Sequence, residues 1–412
     1  MNEWTSGKLT YPEIAGAILL ALILNINGLR LFMGNNVNLL SYALFFLFGL
    51  AVAASHLQQK RGKLKLNNLI AAALAITLVW CLASIFVHNG GGLQSFIKFC
   101  ICIVLAYLAA QLRDEQRILA VKSSIAISTI YALYTIVDFY LIYNNFILPG
   151  VYNYLDITLP VGLGLSFSMT MLLVMKNSRR AVFLFAMASI MQLFSLLRYS
   201  ARGNLLFPLL SAIILLIYTG LTSKKRFLRN VLLIVAAGAV MYAFITRFAN
   251  DNLMYKLVNL FTSTESEGRL AIYEYYVDHL KNAGSFLIGI GFSQSGNVLN
   301  AGGFAYNYPH NFIMELIGEL GVAGMLLIVV IALELFRAEK TWFRVLKENA
   351  MDSNKILVFC FVNAGFLFYL MTFAKSYSIF DGYQFYIFIA MILTGNHIEP
   401  DTFSRNKKLC YR

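Results

Sequence analysis

An all-α integral membrane protein of about twelve spanning helices is the fold class predicted by this sequence, on three observations. Of 412 residues, 59% are hydrophobic and 13% charged, whereas soluble domains carry roughly 25% charged residues. Apolar runs of about 20 residues, the length that crosses a bilayer core, recur along the chain. Lysine and arginine gather between alternate runs, which gives the runs an orientation. The formal charge of +13 could suit nucleic acid, but the basic residues sit in short loops rather than on one stripe, so nucleic-acid binding is not indicated.

The start, MNEWTSGKLTYPE, has one lysine, acidic residues and no small-residue cleavage site, and is read as a short cytoplasmic tail rather than a cleaved signal. Spans follow near 13–33, 37–56, 67–87, 95–112, 122–143, 157–175, 181–197, 204–222, 230–247, 310–336, 355–374 and 380–395. Lys60, Arg61, Lys63 and Lys65 share one loop, Arg113 and Arg117 another, Lys176, Arg179 and Arg180 a third, and Lys224, Lys225, Arg226 and Arg229 a fourth. With Arg337, Lys340, Arg344 and Lys347, and with Arg405, Lys407 and Lys408 of the tail, they fall on one side, so both termini are expected to be cytoplasmic. Three parts result: an N-terminal bundle of about nine helices over 1–247, a large outward-facing loop over 248–309, and C-terminal spans with a cytoplasmic tail over 310–412. Cys81, Cys100, Cys102, Cys360 and Cys410 have neither metal-ligand nor CxxC spacing, and no metal site is predicted.

Within the outer loop, GRLAIYEYYVDHL predicts an amphipathic helix on the membrane surface, with Leu270, Tyr273, Val277 and Leu280 on one stripe. The glycine-rich FLIGIGFSQSG and NAGGFAYNYP after it predict turns. The tenth span opens at His310, where Asn311, Glu315 and Glu319 recur at i, i+4 and i+8; carboxylates inside a span are costly unless they line a polar cavity or have partners. Gly318, Gly321 and Gly324 read as small residues that let helices pack closely.

His310, with an ordinary pKa near neutrality, is the candidate base; the alternative is a helix-capping histidine. Arg198 and Arg202 lie one helical turn apart at the outer end of the seventh span, and guanidinium grips phosphate bidentately. Snorkelling to the headgroups is their other reading. Arg269 opens the loop helix, where a cation works against the helix dipole, so a use beyond helix stability is indicated unless it pairs with Glu265 or Glu274. His88 and His279 lack a polar helix face beside them, and Asp138, Asp156 and Asp381 could supply an outer carboxylate. Tyr152, Tyr154, Tyr273, Tyr275, Tyr276, Tyr306 and Tyr308 suit an interfacial aromatic belt or stacking on sugars. Together these residues suit a substrate with an apolar tail, a pyrophosphate and a transferable sugar.

Three motifs carry a family resemblance: SARGN around Arg202, EGRLAIYEYYVDHLKNAGSFLIGIGFS around Arg269, and YPHNFIMELIGELGVAG from His310. In them the chain resembles the O-antigen ligase and O-antigen polymerase superfamily of bacterial envelope glycosyltransferases, over roughly residues 185–335. The resemblance implies a GT-C-like helical membrane enzyme of the inner membrane with its active site on the periplasmic face and no cofactor. It implies transfer of glycan from undecaprenyl diphosphate, with Arg202 and Arg269 on the donor diphosphate and His310 activating the acceptor hydroxyl. Arg198 joins the arginines as a candidate; Asn311, Glu315 and Glu319 are candidates for the acceptor side. The implied partners are the bilayer, an undecaprenyl-diphosphate-linked oligosaccharide, an acceptor glycolipid and a chain-length regulator. A polymerase, whose acceptor is another lipid-linked repeat unit, is put ahead of a ligase, whose acceptor is the lipid A core. A glycan transporter ranks behind both, because the polar residues concentrate on one face instead of reaching both.

Overall fold

The computed structural model describes residues 9–29, 33, 36–59, 67–87, 92–137, 154–174, 179–199, 202–221, 224–248, 269–282, 284–347 and 353–394. Among them the chain is helical, without a strand. The first bundle holds α1 (Tyr11–Leu24), α2 (Val37–Gln59), α3 (Asn68–Val87), α4 (Leu93–Ala110), α5 (Asp114–Val137), α6 (Tyr154–Val174), α7 (Arg179–Arg198), α8 (Arg202–Gly220) and α9 (Lys224–Phe248). The polar segment contributes α10 (Arg269–Asn282) and α11 (Ser295–Ala301), and α12 (Phe312–Leu320), α13 (Val322–Lys347), α14 (Ser353–Lys375) and α15 (Tyr383–Thr394) follow. Eight helices, α2 to α8 and α14, are long and apolar enough to cross a bilayer, while α1 and α15 are apolar but shorter. The chain is a multi-pass helical membrane protein.

Three of the departures from the expected span limits have a clear local reason. The first run extends to 33 on hydropathy, yet α1 stops at Leu24, because the Asn25 amide donates to the Ala21 carbonyl at 2.8 Å and the Ser124 hydroxyl at 2.7 Å, and a 3-10 turn over Ile26–Leu29 follows. The fifth begins at Asp114 rather than 122, since Asp114 and Glu115 complement the positive end of the helix dipole. The tenth, expected to run unbroken from 310 to 336, is two helices. Gly321 adopts φ 58°, and the Leu287 carbonyl crowds the place where a β-carbon would stand, so α12 ends and α13 starts afresh. Gly318 permits close packing against the Tyr276 ring, as Gly321 does against the Leu287–Gly289 backbone.

Helices α6 and α14 are the most enclosed of the eight. Polar side chains inside the bundle are joined to one another, as the lack of water requires: Gln192 donates to Ser128 at 2.9 Å and accepts from Ser168 at 2.8 Å, and Asn204 donates to Thr158 at 2.8 Å.

The described basic clusters share one end of the bundle. There Arg113 pairs with the buried Glu13 at 3.2 Å, Arg117 donates to the Thr394 hydroxyl at 3.0 Å, and the Tyr218 hydroxyl donates to the Glu339 carbonyl at 2.9 Å. Lys60, Arg61, Lys63, Lys65, Lys176, Arg405, Lys407 and Lys408 lie outside the described residues, as does 249–268 of the polar segment. The opposite end carries α10 to α12 and the turn between α14 and α15, tied to α3 where the Trp80 indole donates to the Ile288 carbonyl at 3.1 Å and Ser84 accepts the Phe292 N–H at 2.7 Å.

Candidate functional site

The site is built on α10 and α12. The buried face of α10 is Ile272, Tyr276 and Leu280, which pack with Leu299 of α11. Of the expected stripe, Leu280 is buried, Tyr273 and Val277 are partly buried and Leu270 is half exposed. The helix turns its apolar residues to protein because the Tyr276 hydroxyl shares a hydrogen bond with Ser295 at 2.7 Å, and Gly318 makes room for its ring. Arg269 is therefore presented at the start of a helix locked against α11 and α12.

Asn311 caps α12, its side-chain oxygen accepting the N–H groups of Ile313 at 3.0 Å and Met314 at 3.2 Å. Its amide nitrogen donates to the Ala374 carbonyl of α14 at 3.3 Å. The capping role that His310 could have filled thus belongs to its neighbour. His310 takes φ 57°, a left-handed conformation costly for a side chain of this size. Its ring lies between Tyr306, 4.8 Å away centroid to centroid, and Tyr308, at 4.6 Å, while its carbonyl accepts the Tyr273 hydroxyl at 3.4 Å.

Burial, reinforced by the Arg269 charge, pushes the imidazole down from 6.5 to about 4, so the ring is neutral at ordinary pH. Nδ1 is buried without a hydrogen-bond partner. Arg269 also opposes the upward push of burial on the Tyr273 and Tyr308 phenols. One guanidinium thus acts electrostatically on the histidine and on two of the tyrosines around it.

Glu315 and Glu319 are almost fully buried and hold backbone instead of facing an arginine. Glu319 accepts the N–H of Ser293 at 2.6 Å and of Ser295 at 3.2 Å. Glu315 accepts the Ser378 hydroxyl at 2.5 Å and the Ile379 N–H at 2.8 Å. The carboxylates have partners, as their cost demands, but the partners are two loops.

Among the described residues, the non-glycine residues with positive φ are Ser293, His310 and Tyr377, and all three sit around α12. Tyr377, at φ 72°, donates its N–H to the Tyr308 hydroxyl at 3.2 Å. Strain of this kind persists only where surroundings over-determine it, and it gathers at functional sites. No sequence pattern announces Ser293, Tyr377 or Ser378, because each reaches the site across a long sequence separation.

Arg202 opens α8 at the same end, on a different wall. Two residues on, the Asn204 carbonyl and the Phe368 ring of α14 converge on Gly162, standing 2.9 and 3.0 Å from where its β-carbon would be. Helix α8 thus packs on α14, whose Ala374 carbonyl holds Asn311. Arg198 ends α7, and its side chain lies outside the described residues, as do His88 and Asp138. The His279 ring is tilted against that of Tyr275, 6.3 Å centroid to centroid, and Asp381 pairs with Lys98 at 3.0 Å. Among the described residues no group of three His, Cys, Asp or Glu side chains could hold a metal ion.

No family model and no curated protein matches this chain.

Proposed function

We propose that this protein is a membrane glycosyltransferase that takes glycan from undecaprenyl diphosphate, acting first of all as a polysaccharide polymerase of the O-antigen type. The acceptor hydroxyl oxygen attacks the anomeric carbon, the bond from that carbon to the diphosphate oxygen breaks, and the lipid diphosphate leaves. Arg202 and Arg269 take the leaving charge, which bidentate guanidinium suits. His310 takes the hydroxyl proton on Nε2. An anionic diphosphate beside Arg269 offsets the charge that holds the imidazole down, so donor binding raises the basicity of His310 when it is needed.

The observation that carries this reading is His310 itself: a left-handed, partly buried histidine set between two tyrosines and next to Arg269. The three motifs that resemble O-antigen polymerases and ligases support it, since two of them supply that pair. In this reading α9 and the broken pair α12–α13 join the eight long apolar helices, α1 and α15 to make twelve crossings of the bacterial inner membrane. The basic end is cytoplasmic with both termini, and the His310 end faces the periplasm.

The test is the envelope glycan of a strain lacking this chain, run on a gel beside strains complemented with the wild type and with His310→Ala. Single repeat units on the core mean a polymerase. A bare core with long polymer left on the lipid carrier means a ligase, which is the second reading. An unchanged ladder removes the transferase.

A further inference from the structure

A cleft of about 310 Å³ opens beside the His310 cluster, between the 3-10 turn after α1, the start of α2, α4, α6 and the turn joining α14 to α15. Small-ligand pockets run from about 300 to 1,000 Å³, so there is room for a short stretch of glycan. Its chemistry differs from that of the arginine walls. Lys98 is its lysine, already paired with Asp381 at 3.0 Å, and a second carboxylate, Asp156, lies within. Such a balance repels a diphosphate rather than binding it.

Aromatic faces come from Tyr42 and Tyr383, and amides from Asn38 and Gln384. Tyrosine offers an apolar plane for the C–H face of a sugar ring. Amides and carboxylates can donate to or accept from adjacent ring hydroxyls. Gln384 is enclosed by protein at 3% exposure yet lines the cleft, which places a polar side chain where a ligand or water can reach it.

The cleft and the histidine share a wall. Tyr377 and Ser378 line the cleft; the Tyr377 N–H is held by the Tyr308 hydroxyl at 3.2 Å, and the Tyr308 ring is 4.6 Å from that of His310. On its other side Ser378 is fixed by Glu315 at 2.5 Å. The cleft therefore borders the residues that hold Tyr308, and through that ring it lies next to the base.

We infer that this cleft is a saccharide site that holds the acceptor oligosaccharide, separate from the diphosphate site at the arginines. The assignment to an acceptor rests on the transferase reading; the saccharide chemistry does not. Two sources share that chemistry, a repeat unit and a lipid A core.

The experiment is calorimetric titration of the full-length protein in lipid nanodiscs with two probes from the producing cell: lipid-free repeat-unit oligosaccharide, and core oligosaccharide released by mild acid. The wild type is expected to bind one of them, the repeat unit for a polymerase and the core for a ligase. Tyr42→Ala combined with Asn38→Ala, both at exposed positions, should weaken that binding at least tenfold, and Asp381→Asn should weaken it too. Arg269→Gln and added pyrophosphate should leave it unchanged. Binding indifferent to the cleft substitutions, or lost with Arg269→Gln, would overturn the cleft. So would a wild type that elongates glycan in cells yet binds neither probe. Saccharide binding in a chain without transferase activity would keep the site and remove the reaction.

Discussion

Glu319 accepts the backbone N–H of Ser293 at 2.6 Å, so a buried carboxylate on α12 holds a loop that precedes it by 26 residues. Four residues earlier on the same helix, Glu315 does the same for Ile379 at 2.8 Å. A nine-residue helix thereby fastens two loops, one on each side, and carries His310 just before its cap. The carboxylates that the sequence offers for the acceptor side act as brackets around the histidine proposed as the base.

Glu319→Gln puts an amide N–H where two backbone donors converge, leaving at least one buried donor without an acceptor. The cost is about 1–3 kcal/mol. A lower thermal midpoint of the purified protein in detergent is expected; an unchanged midpoint would mean the clamp contributes nothing.

His310→Ala is expected to reach the membrane at wild-type level, with little change in thermal midpoint, and to abolish glycan transfer. Full transfer by this variant would remove histidine-base catalysis.

The kcat/KM for transfer by the purified wild type, which reports the donor-free protein, should hold between pH 7 and pH 5 and fall toward pH 4, since the imidazole there titrates at about 4 rather than 6.5. The sign for stability is the same. The folded state resists a proton that the unfolded state takes up, so the contribution is full above 6.5 and is lost as pH falls from there toward 4. Arg269→Gln removes one of the two causes, and the acid limb of the remaining activity should move up. It should stay below 6.5, because burial, the larger cause, is untouched. An acid limb already at 6.5 in the wild type would contradict the buried setting of His310.

Arg202→Lys keeps the charge and loses the planar fork, so transfer should drop while membrane insertion is unaffected. Equal activity of the lysine variant would show that charge alone suffices there.

Gly321→Ala asks a β-carbon to tolerate φ 58° beside the Leu287 carbonyl. More than about 1 kcal/mol of destabilisation is expected, read as a fall in thermal midpoint. A variant as stable as the wild type would mean that α12 and α13 can join into the single span that hydropathy suggests.

Hydropathy alone located α2 to α8 and α14, because twenty consecutive apolar residues can cross a bilayer whatever their neighbours do. It also placed Arg269 at a helix start and basic clusters between alternate runs, both being local properties of the chain. The histidine and the arginines were picked out by their chemistry and by short motifs. Only the tertiary structure decided which face of α10 is buried, since Gly318 and Ser295 choose Tyr276 as the contact. It also decided that Gly321 breaks a run of unbroken apolarity, and that Glu315 and Glu319 spend their oxygens on loops 64 and 26 residues away. Periodicity reports on neighbours within a few residues. A left-handed φ at His310, or Tyr308 joining it to Tyr377, depends on contacts that exist only once distant segments have packed.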